Sequence, residues 1–174
     1  MQESSARQMA AVRLQNSPRD TRGFFTLPPP APIGVFSSAR SRVDCAPLPR
    51  PEVDALSDVA AAREGLDPDF LRSVMRRESG FRPCAVSAKG AMGLMQLAPA
   101  TAWQYGLTNP FNPADNLAAG ARLLKHLLVR YNGERALALG AYNAGPAAVD
   151  SAHGVPQFRE TVDYVARILS SSSQ

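Results

Sequence analysis

Only two histidines and two cysteines occur in the 174 residues, and no CxxC pair is present. A zinc site of Cys and His ligands is therefore excluded, and no metal or cofactor is expected. Long apolar runs are missing too. No stretch approaches the roughly 20 unbroken apolar residues of a membrane span, so no membrane crossing is expected. The apolar segments "MAAV" and "GFF" are too short and interrupted for the core of a signal peptide. Export by another route, a different start and residence inside the cell all stay open. Most of the chain also lacks an excess of one charge. Residues 1–50 hold seven arginines against Glu3, Asp20 and Asp44, whereas residues 51–174 hold twelve basic and twelve acidic residues. A nucleic-acid-binding domain carries a basic face; this one is neutral, so no nucleic-acid partner is expected.

For Cys45 and Cys84 three readings are open: two inert thiols, one disulfide, or a reactive thiol. The last is disfavoured, because a nucleophilic cysteine needs a base that cannot be placed. His126 and His153 read most simply as a helix-surface residue and a loop residue.

Residues 1–50, with "LPPPAPIG" and scattered Ser and Arg, read as a disordered or extended leader. From residue 51 to 172 the pattern is helical. "PEVDALSDVAAAREG" places Val53, Leu56, Val59 and Ala60 together and stops at Gly65. "DPDFLRSVMRRES" opens with Asp67 as N-cap and Pro68 at the first helical position. "TAWQYG" reads as a short helix. A long one runs between Asn112-Pro113 and Asn132-Gly133, with Leu117, Ala121, Leu124, Leu127, Leu128 and Tyr131 on one face. "ERALALGAYNAG" is nearly apolar and belongs in the core. "VPQFRETVDYVARILS" aligns Phe158, Val162, Val165 and Leu169. No alternating strand is evident. The expectation is one all-α domain of five or six helices, without an internal repeat.

One residue breaks this pattern. Leu71, Val74 and Met75 form the apolar stripe of the second helix, and the next position on that face is Glu78. Gly80 then stops the helix. Desolvation raises a carboxyl pKa, and a glutamate tuned to about 6–7 can donate a proton at neutral pH. The plain alternative is a helix-end Glu78 paired with Arg82 or another cation. The neighbouring "AKGAMGLMQLAP" favours a site: Gly90 and Gly93 allow close backbone approach to a ligand, and Gln96 supplies an amide. In "GAYNAGP", Tyr142 and Asn143 interrupt an apolar helix with groups that can bond sugar hydroxyl or acetamido groups. Taken singly, each could be an ordinary buried polar residue.

Taken together, "ES" at Glu78-Ser79, "GLMQ" at Gly93–Gln96 and "AYNAG" at Ala141–Gly145 resemble the soluble lytic transglycosylase catalytic domain of the goose-type-lysozyme-like family. "NPADNLAAGARLL" and "VP…ETVDYV" are similar as well, so the resemblance covers about residues 52–170. It implies a lysozyme-like helical fold with a glycan-binding groove and peptidoglycan glycan strands as substrate. It also implies a monomer in the periplasm or cell envelope, with any partner in an envelope machine unnamed. It implies that Glu78 is the single general acid/base, cleaving the bond between N-acetylmuramic acid and N-acetylglucosamine without water to leave 1,6-anhydromuramoyl ends. Ser87, Gln96, Tyr142, Asn143 and Glu160 match groove positions, with Tyr142 orienting Glu78 or the sugar. For Glu160 the plain alternative is an acid favoured at a helix N-terminus. The family often carries methionine two residues after the glutamine of "GLMQ"; here Ala98 stands there, which points to a smaller groove wall. A Cys45–Cys84 disulfide would staple the leader's end across the loop after Glu78, and would suit the oxidising compartment that holds murein. Two rivals stay open: a muramidase on the same fold, and a non-catalytic glycan-binding accessory module.

Overall fold

The computed structural model describes residues 45–171. The expected leader lies outside the described residues as far as residue 44. Seven helices follow one another: α1 (Arg50–Glu64), α2 (Pro68–Ser79), α3 (Pro99–Gln104), α4 (Pro113–Arg130), α5 (Arg135–Ala144), α6 (Pro146–Ala152) and α7 (Arg159–Ser171). No strand is formed among the described residues; the only extended pairing is two isolated bridges, Val86 with Met92 and Met92 with Leu97. The fold is all-α, as the periodicity implies. Nor is any helix among the described residues long and apolar enough to cross a membrane.

Local chemistry sets the helix ends. The Asp67 carboxylate accepts from the backbone N–H groups of Asp69 (2.9 Å) and Phe70 (3.4 Å), which starts α2 just before Pro68. Asn112 does the same for α4 through the N–H of Asp115, 3.1 Å away. Gly80, at φ +59°, closes α2 in the left-handed conformation, and its N–H bonds to the carbonyl of Arg76.

The helices pack in a closed circuit: α1 against α2, α2 against α7, α7 against α5, α5 against α4, and α4 back against α1. Phe70, Leu71, Val74 and Met75 of α2, Leu117 and Leu124 of α4, Leu139 of α5 and Ile168 of α7 fill its centre. Burying a side chain of this size is worth about 1.5–3 kcal/mol, so the circuit is held chiefly by these contacts. Arg72 adds a polar clasp between α1 and α2, reaching Asp58 at 3.0 Å, Asp54 at 3.6 Å and Asp69 at 2.7 Å.

Three details depart from the sequence reading. The segment after Gly145 forms an extra helix, α6, because Pro146 is tolerated at its first turn and Val149 is buried. Tertiary bonds hold this short helix: Asp150 accepts from Arg130 (2.6 Å) and from the Tyr131 hydroxyl (3.0 Å). In α1, Val59 is exposed, while Ser57 and Ala61 are buried with Val53 and Ala60. Phe158, just before α7, and Val162 within it face solvent, and the buried face of α7 is Thr161, Tyr164, Val165 and Ile168. Polar contacts choose that face: Thr161 donates to Asn143 at 2.8 Å and Tyr164 to Glu78 at 2.5 Å.

The long connection from α2 to α3 depends on one buried amide. Asn116 of α4 accepts from the N–H of Met95 (2.8 Å) and donates to the carbonyls of Met92 (3.1 Å) and Pro110 (2.8 Å). Gly93 lies against it at φ +77°. A Cβ there would come 2.3 Å from both the Asn116 amide and the Pro110 carbonyl. The "GLMQ" turn is thus fixed in place from beneath, which positions Gln96.

Candidate active site

Glu78 is the penultimate residue of α2, one turn beyond Met75 on the buried side of the helix. It lines a cavity of about 380 Å³. The same cavity is lined by Ser87, Gln96, Tyr142, Asn143 and Glu160, so the residues singled out from four separate segments meet in one place. Arg77, Lys89 and Tyr164 line it too, and sequence reasoning did not name them. Ala98 does not: it is the exposed N-cap of α3, outside the cavity wall.

Glu78 is not paired with Arg82. Its Oε1 accepts a 2.5 Å hydrogen bond from the Tyr164 hydroxyl. Desolvation raises the Glu78 pKa from 4.5 to about 7, against the lowering effects of the Tyr164 bond and the Arg77 charge; the Glu160 charge adds to the rise. Near neutrality the group is therefore divided between acid and carboxylate, so it can give a proton and take one back. The Tyr164 hydroxyl is itself held well above its ordinary range, by burial first and by the Glu78 charge next. It stays a donor at any physiological pH.

Tyr142 does not hold Glu78. Its hydroxyl donates to the carbonyl of Met95 at 2.8 Å, tying α5 to the "GLMQ" turn. The contact to the carboxylate falls to Tyr164 instead, because α2 packs directly on α7. A signal for Tyr164 was present in the sequence: it follows Glu160 by four residues and so shares its helix face.

The remaining side chains are oriented by bonds that occupy one end and leave the other toward the cavity. Gln96, at φ +47°, donates through Nε2 to the carbonyls of Ala85 (3.1 Å) and Gly93 (2.9 Å), leaving its Oε1 as an acceptor. Asn143 Oδ1 accepts from Thr161, leaving its NH₂ group as a donor. Ser87 Oγ accepts from the N–H of Ala91 at 3.0 Å, which leaves its own proton free to donate. Glu160 stands exposed in the first turn of α7. Polar groups of both kinds on a concave wall are what a polyhydroxylated ligand requires. Among the described residues no group of three or more His, Cys, Asp or Glu is placed to hold a metal ion.

The loop behind Glu78 is tied down. Cys45 and Cys84 form a disulfide with their Cα atoms 5.6 Å apart. The N–H of Leu48 bonds to the carbonyl of Phe81 at 2.9 Å. The segment before α1 thus braces the turn that follows the carboxylate.

The Tyr164 contact predicts a pH effect. Tyr164 stabilises the ionised form of Glu78, so Tyr164→Phe should move the titration of Glu78 to higher pH. It should also lower turnover through looser positioning. A pH profile of kcat/KM measures both; an unmoved profile would mean that the bond does not act on Glu78.

Comparison with known proteins places this geometry. The transglycosylase SLT domain family matches residues 55–164. A transglycosylase of Enterobacteria phage PRD1 is 46% identical over 86 residues, 49% of this chain and 32% of that protein. The membrane-bound lytic murein transglycosylase C of Histophilus somni is 35% identical over 108 residues, 52% of this chain and 30% of that protein. The chain thus spans about a third of the length of these relatives. Among solved structures, an inactive mutant of the lytic transglycosylase Slt from Pseudomonas aeruginosa superposes with a TM-score of 0.59 at 32% identity, covering 68% of this chain and 23% of that one. The 70 kDa soluble lytic transglycosylase of Escherichia coli gives a TM-score of 0.62 at 25% identity, over the same shares. With its lysozyme-like helical fold and a family match that takes in most of the described residues, the chain belongs to the transglycosylase SLT domain family.

Proposed function

We propose that the protein is a peptidoglycan lytic transglycosylase of the periplasm or cell envelope. Glu78 is its single general acid/base. The observation that carries this reading is a carboxyl group with a pKa of about 7 on the wall of a polar cavity, held by Tyr164. The lytic murein transglycosylases among its relatives supply the substrate class.

Protonated Glu78 gives its proton to the oxygen linking N-acetylmuramic acid to N-acetylglucosamine, and the bond from that oxygen to the muramoyl C1 breaks. The substrate's own acetamido group stabilises C1, as in substrate-assisted glycosidases. The carboxylate then takes the proton of the muramoyl C6 hydroxyl, whose oxygen bonds to C1 and closes the 1,6-anhydro ring. Glu78 ends protonated again, and no water is consumed. The Gln96 carbonyl, the Asn143 amide and the Ser87 hydroxyl supply bonds to sugar hydroxyl and acetamido groups. Tyr164 fixes the carboxylate.

One observation favours a second reading. In the sequence no second carboxylate lies near Glu78, but in the folded chain Glu160 lines the same cavity. A muramidase could use it as the base that activates water. Glu160→Gln separates the two. A transglycosylase keeps releasing anhydro products at a reduced rate, because Glu160 only shapes the field and the groove. Loss of about 10²-fold or more in turnover, the range expected for removal of a general base, would favour the hydrolase.

A further inference from the structure

A second concavity, of about 320 Å³, opens between α2 and the last turns of α7. Its wall carries three guanidinium groups, those of Arg76, Arg77 and Arg167, beside Ser73 and Ser171. Among the described residues the ion pairs engage Arg50, Arg72, Arg130 and Arg135, and none of these three. Asp163 lies one turn before Arg167 on α7, yet it is not within ion-pair distance. Arg76 lies over the ring of Phe81 and Arg77 over that of Tyr164, each 5.6 Å from the centroid. Stacking of this kind steadies a guanidinium while its edge N–H groups stay free to donate. Glu78 feels the charge of Arg77, but Arg76, Arg77 and Arg167 form no ion pair among the described residues, and three like charges gathered in one concavity create a field that favours an anion. Planar guanidinium groups match carboxylates and phosphates alike through paired N–H donors.

Arg77 also lines the catalytic cavity, so the two concavities share a wall. An anion covalently joined to the sugar beside Glu78 would reach the arginines without a second binding event. The stem peptide of murein is such an anion: it is attached to muramic acid and carries free carboxylates. We propose that the Arg76–Arg77–Arg167 basin takes the carboxylates of the stem peptide, so that the enzyme selects peptide-bearing strands. This inference rests on the proposed function for its substrate class.

The test is direct binding in the Glu78→Gln background, which prevents turnover. The full chain is titrated by calorimetry with a murein disaccharide-tetrapeptide, and with the same fragment after its peptide carboxylates are converted to carboxamides. Arg167→Gln is the variant, since Arg167 lies outside the catalytic cavity. The expected result is a weakening of about three- to tenfold for the free-acid fragment, the range for an exposed charge-assisted bond. Binding of the amidated fragment should be unchanged by Arg167→Gln. Equal weakening of both fragments, or of neither, would overturn the proposal. So would preferential, Arg167-dependent binding of poly(glycerol phosphate), which would assign the basin to a wall phosphodiester. Binding and catalysis are read apart. A wild-type chain that releases nothing from murein but shows this binding pattern defeats only the enzymatic reading; one that releases anhydro products without carboxylate dependence defeats only the basin.

Discussion

Glu78→Gln is expected to lower turnover on murein by on the order of 10²-fold or more while glycan binding is retained. General acid catalysis contributes roughly 10²–10⁴-fold, and Glu78 is asked to act twice in each cycle. Glutamine keeps the shape and can still accept the Tyr164 hydroxyl bond, so the groove need not change. It has no proton to give to the glycosidic oxygen and no carboxylate to take one from C6. The measurement is initial rates on sacculi beside binding of a non-cleaved fragment. Turnover within a few fold of wild type would remove Glu78 from the chemistry. The wild-type enzyme should also lose activity as pH rises through about 7, where the acid form is depleted.

The same substitution is expected to stabilise the fold at alkaline pH. In the folded chain the Glu78 pKa is about 7, against an ordinary value of 4.5. A carboxyl whose folded pKa is raised binds protons more tightly when folded, so its favourable contribution is complete below about pH 4.5 and is lost as pH rises through about 7. Above that, folding holds an ionised carboxylate in a desolvated place. The shift corresponds to about 3 kcal/mol at 1.36 kcal/mol per unit, and partial exposure of Glu78 and its Tyr164 bond reduce what is measured. Glu78→Gln should therefore be more stable than wild type by about 1–3 kcal/mol at pH 8, with the difference shrinking toward pH 4.5. Urea unfolding at the two pH values checks this. A difference independent of pH would show that packing, and not the buried charge, is responsible. The gain would mark Glu78 as a site where stability is given up for function.

Much of this was legible in the sequence because the informative patterns were local. Asp67-Pro68 and Gly80 bound α2, and the 71–74–75–78 spacing put Glu78 on the buried face without any knowledge of its neighbours. Gly93 and Gln96 announced a tight turn carrying an amide. What failed to show was decided by contacts across the fold. The face of α7 was misplaced because its apolar residues fill two stripes, and the buried one is chosen by Glu78 and Asn143, both far away in sequence. Tyr164 was missed for that reason; of the two roles open to Tyr142, orienting Glu78 or the sugar, the first falls to Tyr164. Helix α6 was hidden by Gly145-Pro146, and depends on Arg130 of α4 and Tyr131, the C-cap of that helix. Glu160, remote from Glu78 along the chain, was placed in the groove by the family resemblance alone; the fold brings it into the same cavity, which is why product chemistry has to decide between lyase and hydrolase.

The most direct test is mass spectrometry of the soluble products released from murein sacculi by the wild-type chain, with Glu78→Gln as control. 1,6-Anhydromuropeptides are expected from the wild type, and their loss in the variant. Reducing-end muropeptides from the wild type, or undiminished anhydro products from the variant, would contradict the proposed function.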